Sequence, residues 1–115
     1  MTLLFKPYHI EQIRSGSKTV TRREWDTPRV KGGNTYIAAT ELFTSHEEAD
    51  CYVKVRQIYS QRLGEMTDED AREEGNYETV EEFREGYERV YGMGSWDPEK
   101  WVYVVEFEYV GTEKS

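Results

Sequence analysis

The apolar stretch at residues 101–109 constrains the fold of this chain more than any other segment. Aromatic or aliphatic side chains occupy every odd position, and Val102 and Val104 fill even positions, so the first half of the predicted strand is apolar on both faces. A strand that is buried on both faces lies inside a sheet rather than at its edge. The segment therefore predicts a central strand of a sheet or small barrel. With 115 residues the chain is long enough for one compact core and too short for two, so we expect a single domain over 1–115.

The remaining patterns predict helices and strands in mixed order, which is typical of an α+β domain. A helix is expected between Pro7, which suits a first helical turn, and Gly16, which suits a left-handed C-terminal cap. A threonine followed three residues later by an acid, at 67–70 and 79–82, predicts the starts of helices at about 67–74 and 79–91. Strands are predicted over 3–5, 18–23, 35–40 and 51–59, with a polar loop at 44–50.

The charge of the chain is unevenly distributed. The formal net charge is −8, and residues 65–90 alone hold eleven acids against three bases. Residues 14–31 form a basic segment with a local net charge of +4, because six basic side chains stand against Glu24 and Asp26. The acidic surroundings restrict where a polyanion could dock. The basic side chains of this segment are Arg14, Lys18, Arg22, Arg23, Arg29 and Lys31.

Several classes of protein do not fit the composition. The single cysteine, Cys51, excludes an intramolecular disulfide, and two histidines with one cysteine cannot build a cysteine-rich zinc site. Cys51 itself fits a small core position, and the isolated His9 and His46 indicate no site. The N-terminus lacks a signal-peptide layout, and no apolar run approaches about 20 residues. We therefore expect a cytoplasmic protein without membrane span, metal or cofactor.

One motif resembles a known family. The sequence Gly16-x-Lys18-x-x-Thr21-x-Arg23, preceded by a predicted helix and followed by a Gly-Asn turn, is similar to the signature of the ASCH domain family. The acidic helix at 67–74, the aromatic stretch at 77–83 and the final strand occur in the matching order. The resemblance implies a PUA-like mixed β-barrel of about five to six strands with flanking helices. It also implies a cleft that binds RNA or a modified nucleoside.

Thr21 points to one branch of that family. Many members have glutamate at this position, whereas a hydroxyl resembles the small amidohydrolases that remove the acyl group from N4-acetylcytidine without a metal. The resemblance implies Lys18, Thr21 and Glu74 as the catalytic set. A threonine hydroxyl needs a nearby base, and a lysine serves as one when burial or neighbouring charge, here from Arg22 and Arg23, lowers its pKa. In a regular strand Lys18 and Thr21 would face opposite sides, so the pair requires a bend between them.

Two functions stay open at this point: a non-catalytic reader of RNA or a modified nucleoside, and the amidohydrolase. The acidic stretch would repel a long phosphate backbone, so a nucleoside or a short single strand fits better than a long duplex. Each site residue also has a purely structural interpretation. Lys18, Arg23 and Glu74 can be solvated strand or helix residues, and Thr21 can simply favour a strand. The tryptophans can plug the end of the barrel. For the reader, the expected contact residues are Lys18, Arg22, Arg23, Trp25, Arg29, Lys31 and Trp96.

Overall fold

Five strands and three α-helices make up the described part of the chain. The computed structural model describes residues 2–41, 51–75 and 77–111, so the predicted loop at 44–50, with His46, lies outside the described residues. The elements in chain order are β1 (Thr2–Leu4), α1 (Pro7–Ser15), β2 (Val20–Arg23), β3 (Thr35–Ala39), β4 (Cys51–Arg62), a 3-10 turn (Leu63–Glu65), α2 (Asp68–Glu73), α3 (Val80–Tyr91) and β5 (Trp101–Tyr109).

The strands form one mixed sheet in the order β1-β3-β4-β5-β2. β5 pairs antiparallel with β4 on one side and with β2 on the other, which confirms the predicted central position of this strand. Val104 and Val105 are fully buried because the sheet covers them on both edges and packing covers both faces. The predicted α+β class and the number of strands are confirmed.

The two edge strands, β1 and β2, come together without pairing. Among the described residues no strand ladder joins them, so main-chain hydrogen bonds do not close the predicted barrel. The Arg23 guanidinium instead bridges the gap, with Nη2 donating to the Leu4 carbonyl oxygen at 2.6 Å. The sheet is therefore open but barrel-like, and the bridging side chain belongs to the Gly-x-Lys-x-x-Thr-x-Arg motif.

Local signals placed the helix ends correctly. Pro7 begins α1, and Gly16 ends it in the left-handed region at φ 86°. Thr67 and Asp70 form a full capping box at the start of α2, and the Thr79 hydroxyl accepts a hydrogen bond from the main chain of α3. Cys51 is buried in the core, as predicted. No helix in the described ranges is long and apolar enough to cross a membrane.

Candidate functional site

A cavity of about 380 Å³ opens between the start of α1, strand β2, the end of α2 and one face of α3. Its wall divides into two parts of different chemistry. The polar part contains Lys18, Thr21, Arg23 and Glu74 among others, and all three predicted catalytic residues therefore line one cavity. The aromatic part consists of rings on or beside the helices, namely Phe5, Tyr8, Tyr77, Phe83, Tyr87 and Tyr91.

Lys18 and Glu74 form a buried ion pair in the polar wall. Lys18 Nζ lies 3.2 Å from Glu74 Oε1 and donates a second hydrogen bond, of 2.9 Å, to the Glu74 main-chain oxygen. Only 2% of the Lys18 side chain and 7% of the Glu74 side chain are exposed. Burial lowers the pKa of Lys18, the Glu74 carboxylate opposes this shift, and the cations Arg23 and Arg22 add to it. Lys18 is thus an amine whose proton is easier to remove than that of a surface lysine.

Arg22 occupies the other side of the same carboxylate. Arg22 Nη1 donates to Glu74 Oε2 at 2.7 Å, and its remaining nitrogens reach Gln61 Oε1 and Asp70 Oδ2. The Arg22 side chain is 3% exposed. Each Glu74 oxygen therefore has its own cation, and Arg22 acts on the cavity by positioning Glu74 rather than by contacting a phosphate at the surface.

The predicted conflict of strand parity does not arise, because the strand begins later than expected. The sequence predicts a strand from residue 18, whereas β2 starts at Val20. Lys18 N–H donates to the Gln12 carbonyl at the end of α1, and Thr19 N–H donates to the Glu73 carbonyl at the end of α2. These bonds turn the chain before the regular strand begins, so strand alternation does not apply to Lys18. Both Lys18 and Thr21 consequently line the cavity.

Thr21 supplies the hydroxyl group that the predicted amidohydrolase reaction needs. The residue is 5% exposed and lines the cavity. Within the ranges that the structure describes, no hydrogen bond joins its hydroxyl to another residue. The oxygen is therefore available to a ligand or to a neighbouring base.

Arg23 places a guanidinium in the cavity wall and leaves one of its donors unpaired. One guanidinium nitrogen binds the Leu4 carbonyl, and the guanidinium carbon lies 4.9 Å from the centre of the Phe5 ring. Nε is buried and has no hydrogen-bond partner among the described residues. Leaving a buried donor unpaired costs about 1–3 kcal/mol. Arg23 lines the cavity, so its positive charge lies beside any bound ligand, although the Nε atom itself is buried.

Gly75 brings α2 close enough to α1 for the ion pair to form. Its φ of +101° is unfavourable for other residues, and a Cβ atom there would lie 2.5 Å from Gln12 Oε1 and 3.2 Å from Lys18 Cβ. Glycine is therefore required directly after Glu74 for both backbone conformation and space.

The aromatic wall is built on α3 and is supported from behind. The Tyr77 ring stacks on Phe83 with centroids 5.3 Å apart, and Trp96 packs edge-on against Phe83 and Tyr87. The Tyr87 hydroxyl donates to Glu24, whose carboxylate also receives Lys100 Nζ at 3.4 Å. The aromatic side chains of α3 thus line the cavity, and Tyr87 also packs with Leu63 and Val102.

Four of the predicted contact residues do not line the cavity. Trp25 packs against the core and Tyr103, and the Arg29 guanidinium lies 5.9 Å from the Trp25 ring centre. Lys31 is exposed, and Trp96 supports the aromatic wall from outside. The structure therefore brings Lys18, Thr21, Arg22, Arg23 and Glu74 together, while Trp25, Arg29, Lys31 and Trp96 lie elsewhere.

Sequence reasoning missed His9 and several tyrosines. His9 lines the cavity, with Nδ1 2.8 Å from Gln12 Oε1, and Tyr8, Tyr77 and Tyr91 line it as well. The available signal was the position of His9 in the first turn of the helix that leads into the motif. In the ranges 2–41, 51–75 and 77–111, no group of three or more His, Cys, Asp or Glu residues could hold a metal ion.

Solved structures share this fold. The ASCH domain from Lactobacillus crispatus JV V101 superimposes with a TM-score of 0.76 at 9% identity, covering 96% of this chain and 79% of that one. ASCH from Zymomonas mobilis gives 0.63 at 17% identity, covering 94% and 68%. Protein PF0455 from Pyrococcus furiosus gives 0.63 at 20% identity, covering 95% and 96%. No family model and no curated protein matches the sequence.

These likenesses define the class by fold: the chain has the PUA-like architecture of ASCH domains. More specifically, it is an α+β domain with the fold of the solved ASCH domains, an open five-stranded sheet and a cavity beside its Gly-x-Lys-x-x-Thr-x-Arg motif.

Proposed function

We propose that this domain binds a nucleoside, free or as one unstacked base of a short RNA, in the cavity beside Lys18. The observation that carries the proposal is the cavity itself, which places an aromatic wall opposite buried hydrogen-bonding groups. Its volume falls within the range of about 300–1,000 Å³ that small-molecule sites occupy. Aromatic rings stack on a base, and polar groups read its edge.

The charges of the cavity favour a nucleoside over a long nucleic acid. Lys18 and Arg22 are buried and paired with Glu74, so neither is free to neutralise a phosphate. Residues 65–90, which include α2 and α3 beside the cavity, carry the acidic excess of the chain. The exposed Arg29 and Lys31 can contact a few flanking phosphates at most, and Trp96 contributes by holding the aromatic wall in place.

Calorimetric titration with cytidine, N4-acetylcytidine and uridine tests this proposal. Wild-type protein is expected to bind at least one of them, and Phe83→Leu to bind it about tenfold more weakly, because a stacked base contributes about 1–3 kcal/mol. Tyr59→Leu is the matched control, since Tyr59 is a partly exposed aromatic residue on β4 away from the cavity. The absence of binding for all three nucleosides at millimolar concentration contradicts the proposal.

A second candidate function is removal of the acyl group from N4-acetylcytidine. It is favoured by the buried Lys18–Glu74 pair in the same cavity as the unbonded Thr21 hydroxyl. In this reaction neutral Lys18 takes the proton of Thr21, and Thr21 Oγ1 bonds to the amide carbonyl carbon. The carbon–nitrogen bond then breaks, the cytidine amine takes the proton from Lys18, and water hydrolyses the acyl-threonine ester to a carboxylic acid and free Thr21.

The ion network suits this chemistry in two ways. Arg22 shares the charge of Glu74, so the carboxylate holds the Lys18 proton less tightly than it would alone. The Arg23 guanidinium lies in the cavity wall, where its positive charge can stabilise the oxyanion of the tetrahedral intermediate.

Chromatography tests the proposed amidohydrolase activity, because it measures the cytidine that is released from N4-acetylcytidine. Lys18→Ala and Thr21→Val are expected to lower turnover by at least a hundredfold, whereas Thr21→Ser keeps a hydroxyl and retains measurable activity. If wild-type protein releases no cytidine, or if both Lys18→Ala and Thr21→Val leave the rate unchanged, this candidate is eliminated while nucleoside binding stands or falls on its own titration.

A further inference from the structure

His9 lies in the first turn of α1 and lines the same cavity as Lys18 and Thr21. The ring atom Nδ1 lies 2.8 Å from Gln12 Oε1. An amide oxygen only accepts hydrogen bonds, so Nδ1 carries the hydrogen and donates. Among the described residues no other hydrogen bond to the ring occurs. Nε2 therefore keeps a free lone pair.

The orientation of the His9 ring is fixed by residues that also position Lys18 in the polar wall of the cavity. Gln12 is buried, and a Cβ atom at Gly75 would lie 2.5 Å from its Oε1 atom. The Gln12 carbonyl accepts the main-chain N–H of Lys18. On the other side, the Tyr8 ring centre lies 4.3 Å from that of His9. The imidazole is thus held by the turn that positions Lys18.

The charges around the ring keep it neutral. Burial lowers the pKa of His9 below its ordinary value, and the cations Lys18 and Arg23 act in the same direction. The hydrogen bond to Gln12 and the Glu74 carboxylate oppose the shift without reversing it. The positive end of the α1 dipole also disfavours a protonated ring. The imidazole is therefore neutral. Its Nδ1 hydrogen is bonded to Gln12, and its Nε2 atom can accept a hydrogen bond from a ligand in the cavity.

We infer that His9 is a specificity-determining residue of the cavity, whose Nε2 atom accepts a hydrogen bond from an N–H or O–H donor of the bound nucleoside. The inference rests on the proposed nucleoside binding and adds to it the chemistry of one contact. A nucleoside offers two sources of such a donor, an amide or amine N–H on the base and a hydroxyl on the ribose. The group selected against is a phosphate, which has acceptors where this site requires a donor.

The test is calorimetric titration with N4-acetylcytidine between about pH 5 and 8, for wild-type protein and His9→Phe. Wild-type affinity is expected to fall at a pH below the ordinary histidine pKa of 6.5, because the pKa of His9 is lowered and protonation of Nε2 turns the acceptor into a donor. His9→Phe is expected to bind roughly tenfold more weakly at neutral pH and to lose the dependence on pH. Thermal unfolding followed by circular dichroism confirms that the variant is folded.

A second variant keeps the inference testable if His9→Phe does not fold. Gln12→Glu preserves the shape of the residue and places a carboxylate beside Nδ1, which raises the pKa of His9. The drop in affinity is then expected at higher pH than in wild-type protein, a change that a purely structural role for His9 would not produce.

Two ligands locate the donor. If N4-acetylcytosine, which lacks the ribose, binds with the same dependence on His9, the donor is on the base; if the dependence is lost with the sugar, the donor is a ribose hydroxyl. Wild-type binding that His9→Phe leaves unchanged in strength and pH dependence overturns this inference alone. Failure of the wild-type protein to bind any nucleoside overturns the proposed function together with the inference.

Discussion

Glu74 is the residue on which the polar wall of the cavity depends. Its two carboxylate oxygens accept hydrogen bonds from Lys18 and Arg22, and all three side chains are buried. A buried ion pair contributes little relative to apolar packing, but removing one partner leaves an uncompensated charge, which costs about 3–5 kcal/mol. Glu74 therefore positions two cations in addition to any part it plays with a ligand.

Replacing Glu74 by glutamine tests this dependence. Glu74→Gln is expected to lower the free energy of unfolding by about 3–5 kcal/mol, because Lys18 and Arg22 lose their counter-charge in a buried place. Urea denaturation measures the change. Glu99→Gln is the control, since Glu99 is 78% exposed and its partner Arg62 is also at the surface. Equal stability of the two variants would show that the buried network does not contribute to stability as described.

The ionisation of Lys18 gives a second prediction for a single residue. Burial lowers its pKa below 10.5, so in the interval between the folded-state pKa and 10.5 the unfolded chain binds more protons than the folded one. Through this group, the free energy of unfolding therefore rises with pH in that interval. NMR titration of isotope-labelled lysine side chains is expected to show one lysine below 10.5, absent in Lys18→Met and lower still in Glu74→Gln. A Lys18 signal at the ordinary value would contradict the environment described.

At the scale of elements, the ends of the helices were predictable because their signals are local. Gly16, Thr67 and Thr79 act on neighbouring main-chain groups, and each cap formed where the sequence predicts it. The ends of two strands were not predictable. β2 begins late because Thr19 bonds to the end of α2, and β4 runs past residue 59 to Arg62 because β5 pairs with it along its length. These causes lie far away in the sequence.

Gly75 controls how closely α2 approaches α1. Gly75→Ala is expected to destabilise the protein more than Gly94→Ala, by about 1–3 kcal/mol. Both glycines have a positive φ, but a Cβ at Gly94 meets nothing within 4 Å, whereas one at Gly75 clashes with Gln12. The difference between the variants therefore isolates the steric contribution, which denaturation curves measure. Equal losses of stability in the two variants would mean that the structure makes room for the added Cβ atom at Gly75 with little cost in free energy.

For the whole molecule, the sequence predicted the class of fold and five residues of one cavity, and it missed the other half of that cavity. Lys18 and Thr21 lie close together in the chain, and the family resemblance supplied Glu74. The aromatic wall and His9 come from segments that only the tertiary structure joins, so neither the position of His9 at the start of α1 nor the aromatic stretch at 77–83 shows by itself that these residues share a cavity with Lys18. Trp25 and Trp96 are predicted as contact residues of the reader, with plugging of the barrel as the alternative, but packing places both outside the cavity.

The overall charge predicts how binding responds to salt and to longer nucleic acids. N4-acetylcytidine is uncharged, so its affinity is expected to change less than about twofold between 50 and 500 mM salt, because no counterions are released from the ligand. Double-stranded RNA is expected not to compete, since the acidic face at 65–90 repels it. Fluorescence competition titrations measure both effects. Strong competition by the duplex would favour a surface that reads RNA over a nucleoside cavity.

The central claim is that the ligand enters the cavity between β2 and α3, and an amide NMR titration with N4-acetylcytidine tests it most directly. The expected result is a saturable set of shifts at residues that line the cavity, among them Lys18, Thr21, Arg23 and Phe83, with little change at Arg29 and Lys31. Shifts centred on Trp25, Arg29 and Lys31, or no shifts at millimolar nucleoside, would contradict the account.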